Sequence, residues 1–510
     1  PQFHFEDVTM ERIYPGTDTH HGAVIDWAGV VATRSPGRAS TKMGSGVQFR
    51  FVNCNLTAMS SKIPKIFQFR EHEISGMNLT VENTLTSLGE NSTNGGNLLS
   101  TPGLPYFISS SIIAFTNTTV EGSFGSAGYV VLASLNDETS LSFESCAVTI
   151  DVASTDWANF DSIFGTFLFF SRLSGTQVRV FNTNVTIADP SGYTYGQFLA
   201  FAGPAANGSS VVFEDSVLTA TSEYGGTMAV YADFELSDLT DLSITFTGCH
   251  VTNVTAFFLA KGGTSFTDSS ITIDDSSIAI SSTKGAVRGF EFNGAELQNV
   301  TINLLETDAN MSSTDSAAQF FVLRGNTTAD HFAATLTRST IECRNSHTPT
   351  GFVVSDSQFS DSSFTLNNST MHLHPPQHTD IVYFWSVGVT NISSSQIAIT
   401  NHSFYLGTSE AKQCFGLRHE GTSSVHDSTF SVSDNSVVDI RSGATIGNDY
   451  SALSGIQFSS GPHAREADFH GGMPLLVQQE HHRQSTFIRY HLDLLRVCWA
   501  VPHVRPSEHG

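Results

Sequence analysis

A short apolar pattern recurs along most of the chain and constrains its fold more than any other feature. An apolar residue leads, a turn residue and a small residue follow, and further apolar residues come at alternate positions after them. Clear copies are Phe143, Cys146, Val148, Ile150; Phe266, Asp268, Ser269, Ile271, Ile273; and Val425, Asp427, Ser428, Phe430, Val432. In the stretch 351–368, GFVVSDSQFSDSSFTLNN, an apolar strand (Phe352, Val353, Val354) runs into a second short strand ending at Phe359, then the polar corner Ser360-Asp361-Ser362 and a third strand with Phe364 and Leu366. Copies recur about 20 to 40 residues apart, a spacing that suits a solenoid with loops of variable length.

Alternation of period two with branched and aromatic residues predicts strands with one face inward. A single coil cannot bury that face, so copies must stack at about 4.8 Å, giving a rod on the order of 60 to 70 Å. The expected fold is therefore all-β, a right-handed parallel β-helix whose coil has three short strands. Residues 47–460 carry the repeat, and 1–46 read as an N-terminal cap or irregular first coils. Residues 461–510 form a non-repeat tail rich in His and Arg, expected to be disordered or to form a capping helix over Leu492 to Val501. A string of β-sandwiches is the rival, because Cys54, Cys146, Cys249 and Cys343 are spaced like domain modules. The pattern recurs several times within each such interval, which favours the solenoid.

The chain has 510 residues, of which 14% are charged and 39% hydrophobic, so it has the means to build a core. Its net charge of -24 argues against nucleic-acid partners, which need a basic face. No apolar run approaches the roughly 18 residues of a membrane helix, so no membrane span is expected. The chain opens at Pro1 without methionine, as a mature form or a fragment would. Glycosylation sequons are abundant: Asn55, Asn78, Asn91, Asn117, Asn184, Asn207, Asn253, Asn299, Asn310, Asn326, Asn367, Asn368, Asn391 and Asn401. They point to a secreted or cell-surface glycoprotein.

Chemistry-bearing residues do not assemble into a known motif. Cys54, Cys146 and Cys249 share the small-residue slot of Ser216, Ser269, Ser362 and Ser428. They are expected to be spaced too far along one edge for disulfides. His20-His21, His372 with His374 before Pro375-Pro376, and His481-His482 read as exposed loop pairs. Asp215, Asp268, Asp361 and Asp427 occupy corner slots, where Asp bonds its own backbone. Asp274 and Asp275 are adjacent and would face opposite ways. No catalytic, cofactor or metal residue is assigned on this basis. Lys261 and Arg288 are among the few basic candidates for a lyase. Most Phe, together with Tyr383 and Trp385, are expected in the core.

The Ser/Thr/Asn-rich copies of the form F-x-D/N-S/C-x-V-T-I, over roughly residues 45–440, resemble the β-helical surface proteins of kinetoplastid protists, including the dispersed gene family. That resemblance implies a cell-surface adhesion role with a glycan or cell-surface ligand as partner, and supplies no catalytic residue. Those relatives are longer and carry signal and membrane segments. The expected function is non-catalytic contact, and the alternative is a pectate-lyase-like carbohydrate-active enzyme.

Overall fold

The computed structural model describes residues 2–14, 22–27 and 46–60, then most of 64–458 apart from interruptions between strands. Beyond these it describes strands Phe469–His470, Thr486–His491 and Arg496–Val497. The chain is a parallel β-helix. A typical coil runs Ala256–Lys261, Ser265–Thr267, Ser270–Asp274 and Ser277–Ser282, and each strand pairs in parallel with its counterpart in the next coil. We call the face of Ala256–Lys261 and its counterparts the lateral face. The first face is that of Ser270–Asp274, and the second face that of Ser277–Ser282. The coil thus has four strands where three are expected: the short strand expected to end at Phe359 is Ser357–Ser360, and Thr370–His374 on the second face makes the fourth. In some coils the short strand merges with a neighbour, as in Gly128–Asn136 and Asp238–Thr247, so lateral and first faces join into one curled sheet.

Register is set by like stacking on like. Phe5 and Phe51, Phe115 and Phe143, and Phe213 and Phe246 stack with ring centroids 4.8 Å apart. That separation is the spacing of hydrogen-bonded strands, so an in-register Phe column forms stacked rings without distortion. A slip by one residue would turn the whole column to solvent. One continuous core cluster runs from Val47 to Ile399. The early strands Gln2–Glu6 and Thr9–Tyr14 pair in the same register with Gln48–Val52 and Asn55–Ser60. They form a first regular coil.

Two kinds of corner carry the repeat, where the sequence pattern suggests one. At the corner between first and second faces, a residue in the left-handed region (Asn53, Asn83, Asn117, Asp215, Asp275) precedes a buried Ser, Thr or Cys. Ser216 shares this corner with Cys54, Cys146 and Cys249. Ser269 and Ser362 belong instead to the corner before the first face, after Asp268 and Asp361 at φ 50° and 46°. Both corners make a tight reversal that favours Asn, Asp or Gly, followed by a small polar group that caps the backbone. They converge on one sequence grammar for that reason.

At the far end, Thr486–His491 pairs antiparallel with Val437–Ser442, which covers an open strand edge. Within the expected helix only Arg496–Val497 is described, and it is a strand. The remainder of that expectation, like His20, His21, His481, His482 and Asp427, lies outside the described residues. Among those residues no helix is long and apolar enough to cross a membrane.

Candidate functional site

The sequon asparagines mark which faces of the coil a sugar could occupy. Asn117, Asn184, Asn207, Asn253, Asn299, Asn310, Asn326, Asn368, Asn391 and Asn401 are exposed, and Asn55, Asn78 and Asn367 are half-buried. The side chain of Asn91 lies outside the described residues. They fall on the first and second faces, the corners and the short strands. Among the described residues no lateral-face strand contains one.

Cys54, Cys146, Cys249 and Cys343 are buried free thiols. The first three lie three coils apart in one column, about 14 Å at the strand spacing and beyond disulfide reach. Desolvation by burial pushes Cys249 up to about 11 and Cys343 up to about 12. Asp274 closes a first-face strand and Asp275 turns the corner at φ 44°, so the two share no site. His372 and His374, expected in a loop, instead lie in the strand Thr370–His374. His372 Nδ1 sits 3.9 Å from Glu342. No group of three His, Cys, Asp or Glu able to hold an ion occurs among the described residues. Tyr383 and Trp385 lie in the strand Ile381–Val387, with side chains outside the described residues.

The lateral face does gather charge. Its strands break the alternation: Phe257-Phe258 and Phe320-Phe321 are consecutive and both buried, and one position on each strand drops out of the pairing without any shift of register. Gly289 occupies this skipped position, where a side chain would collide with the carbonyl oxygen of Phe320. Phe290 and Phe292 then point into the core, within 5.6 and 5.9 Å of the Phe321 ring. Glu291 between them must project to the outside.

It does not reach water. The Glu291 side chain is 0% exposed, covered by Arg288 at 24% and Arg324 at 37%. Arg288 Nη1 is 2.9 Å from Glu291 Oε2, and Arg324 Nη2 contacts Oε1. Between Arg288 and Glu291 charge attraction outweighs hydrogen bonding. Both Nε groups are buried without a hydrogen-bond partner. Burial destabilises the Arg288 charge and lowers its pKa, Glu291 opposes that, and neighbouring Arg324 adds to it. Lys261 lies in the column of Asn293 and Arg324, with its Nζ 6.0 Å from the Tyr231 ring centroid.

The scarcity of basic residues points to Lys261 and Arg288 from sequence, but Glu291 and Arg324 escape that argument. The signal for them is a carboxylate between two phenylalanines, in VRGFEFN, with AFFLAK before it and AQFFVLR after it. Compared with known protein families, curated proteins and solved structures, the chain matches none.

Proposed function

We propose that this protein is an extracellular or cell-surface glycoprotein whose β-helix makes adhesive or ligand contacts without catalysis. The observation that carries the reading is the placement of the sequons. None of the described sequon asparagines is buried, and the lateral strands are free of them. Sugars on the first and second faces would crowd those faces, and the lateral face, whose strands are largely buried, would offer a ligand its partly open side chains such as Arg288 and Arg324. The resemblance to kinetoplastid surface proteins supports the same reading. Solenoids present extended surfaces of this kind for contact rather than enclosed pockets.

A carbohydrate-active enzyme is the second reading, and one observation favours it. A guanidinium with a lowered pKa, Arg288, sits partly open on a lateral face.

Glycopeptide mapping of the chain expressed in eukaryotic cells tests the first reading. Occupied sequons, together with saturable binding of the labelled chain to cell surfaces, are the expected outcome. Unmodified asparagines and no saturable binding would sink it.

A further inference from the structure

We propose that Arg288, Glu291 and Arg324 form a clamp for a single anionic group, a carboxylate or sulfate, on an acidic sugar. The inference rests on the contact reading above and assigns it a ligand chemistry.

A carboxylate buried between two guanidinium groups loses hydration that its ion pairs only partly return, and an apolar trio of similar volume serves a core equally well. Here the trio stands on the outer side of the sheet, where stacking of the inward Phe columns does not depend on it. Buried Glu291 neutralises one positive charge and holds both guanidinium groups beside it, and the cluster keeps a net charge of about +1. The Arg288 and Arg324 side chains stay 24% and 37% exposed, so part of each guanidinium side chain reaches the surface. A forked guanidinium matches a planar or tetrahedral oxyanion in a way that a lysine does not.

The ligand class follows from what surrounds the clamp. The chain carries a net charge of -24, which repels a dense polyanion far more strongly than a single anionic group. Tyr231 lies half-buried in the column of Glu291, two coils back through Leu259, about 10 Å away at the strand spacing. Tyr129 and Phe169 meet edge-on farther along the same face, at 5.0 Å between centroids, and are also half-buried. Tyr231 packs on the buried Met228, Ala256 and Leu259, so a single half-buried ring is what lies near the clamp, and one ring beside one anion site fits a short oligosaccharide with one acidic residue better than an acidic peptide.

The test titrates the full chain with trigalacturonate and sialyllactose as carboxylate probes. Sulfated lactose serves as the sulfate probe, maltotriose and lactose as neutral probes, and hexaglutamate as the peptide probe. The expected result is binding of at least one acidic sugar tenfold or more tighter than its neutral counterpart, with that preference lost in Arg324→Ala. Arg324→Ala leaves a buried carboxylate less well paired, and that alone is able to misfold the coil. The triple variant Arg288→Met, Glu291→Leu, Arg324→Met removes the charges together and keeps the apolar volume; it should fold and lose the preference. Equal affinity for acidic and neutral sugars, tighter binding of hexaglutamate, or no binding of any probe would overturn the clamp. An acidic-sugar preference that persists in the folded triple variant would do so while leaving the contact function standing. Cleavage of trigalacturonate would instead overturn the contact function.

Discussion

The backbone N–H of Cys146 donates to the hydroxyl of Thr183, one coil farther along, at 3.2 Å. Thr183 repeats the gesture, its own N–H donating to Ser216 Oγ at 3.1 Å. The series recurs with Cys249 and Ser276, Thr307 and Ser339, and Ser339 and Ser369. These hydroxyls also donate to a carbonyl two residues back, as Ser216 does to Glu214 at 2.8 Å. A buried ladder of small polar groups therefore runs up this corner and satisfies backbone groups that the turn would otherwise strand.

Thr183→Val deletes one step while keeping the shape. It leaves the Cys146 N–H buried and unpaired, so unfolding free energy should fall by about 1–3 kcal/mol. Cys146→Ser supplies the hydroxyl that Ser216 uses in the same column and should stay within about 1 kcal/mol of the parent. Urea unfolding midpoints distinguish the two. A Thr183→Val chain as stable as the parent would show that the ladder contributes nothing.

The thiols give a pH dependence. Burial raises Cys249 to about 11 and Cys343 to about 12, above the ordinary value of 9.0 that they regain on unfolding. The folded state then holds protons that the unfolded state has released, so stability is full below about pH 9. It declines as the pH climbs through 9 toward those raised values. Iodoacetamide at pH 8 should label these thiols only after denaturant is added. Rapid labelling in the native state would contradict their burial.

Glu306 and Arg338 occupy left-handed corner positions at φ 48° and 51°, where other coils place Asn or Asp. They also form an exposed ion pair. A surface pair contributes about 0–1 kcal/mol, and this backbone region costs a side chain without local hydrogen bonding about 1–2 kcal/mol. The double change Glu306→Asn, Arg338→Asn should hold or raise stability, by up to about 1 kcal/mol. A clear drop in melting temperature would mean that the ion pair outweighs the backbone strain.

Gly289 meets a close approach. A Cβ there collides with the Phe320 backbone carbonyl, which cannot swing aside as a flexible side chain would. Gly289→Ala should cost about 1–3 kcal/mol and loosen the clamp residues on either side of it. Hydrogen exchange of the strands Val287–Asn293 and Ala318–Arg324 reads this directly. Unchanged protection would remove the packing argument.

Much of the architecture is legible in the sequence because each coil repeats the same local choices. Phe143 and Ile273 alternate with polar neighbours, and Asn, Asp or Gly marks most reversals. The short strand is legible at Ser357–Ser360, where Phe359 marks it, but the count of four strands per coil is not, since three residues such as Ser265–Thr267 give no periodicity. The two corners merge in the sequence because Asp215-Ser216 and Asp268-Ser269 look alike and differ only in which faces they join. The clamp depends on a register between coils separated by loops of different length. Glu291 and Arg324 become neighbours only once Asn293 and Arg324 are known to pair.

Contact without catalysis is the central claim, and incubation with a polyuronide tests it most directly. The full chain is mixed with polygalacturonate and followed for new reducing ends and for the ultraviolet absorbance of unsaturated products, alongside a binding measurement on the same sample. Intact polymer is the expected result, whether or not the chain binds it. Product release that disappears in Arg288→Ala, or in the Asp274→Asn, Asp275→Asn double variant, would contradict the claim and make the lateral or first face an active site.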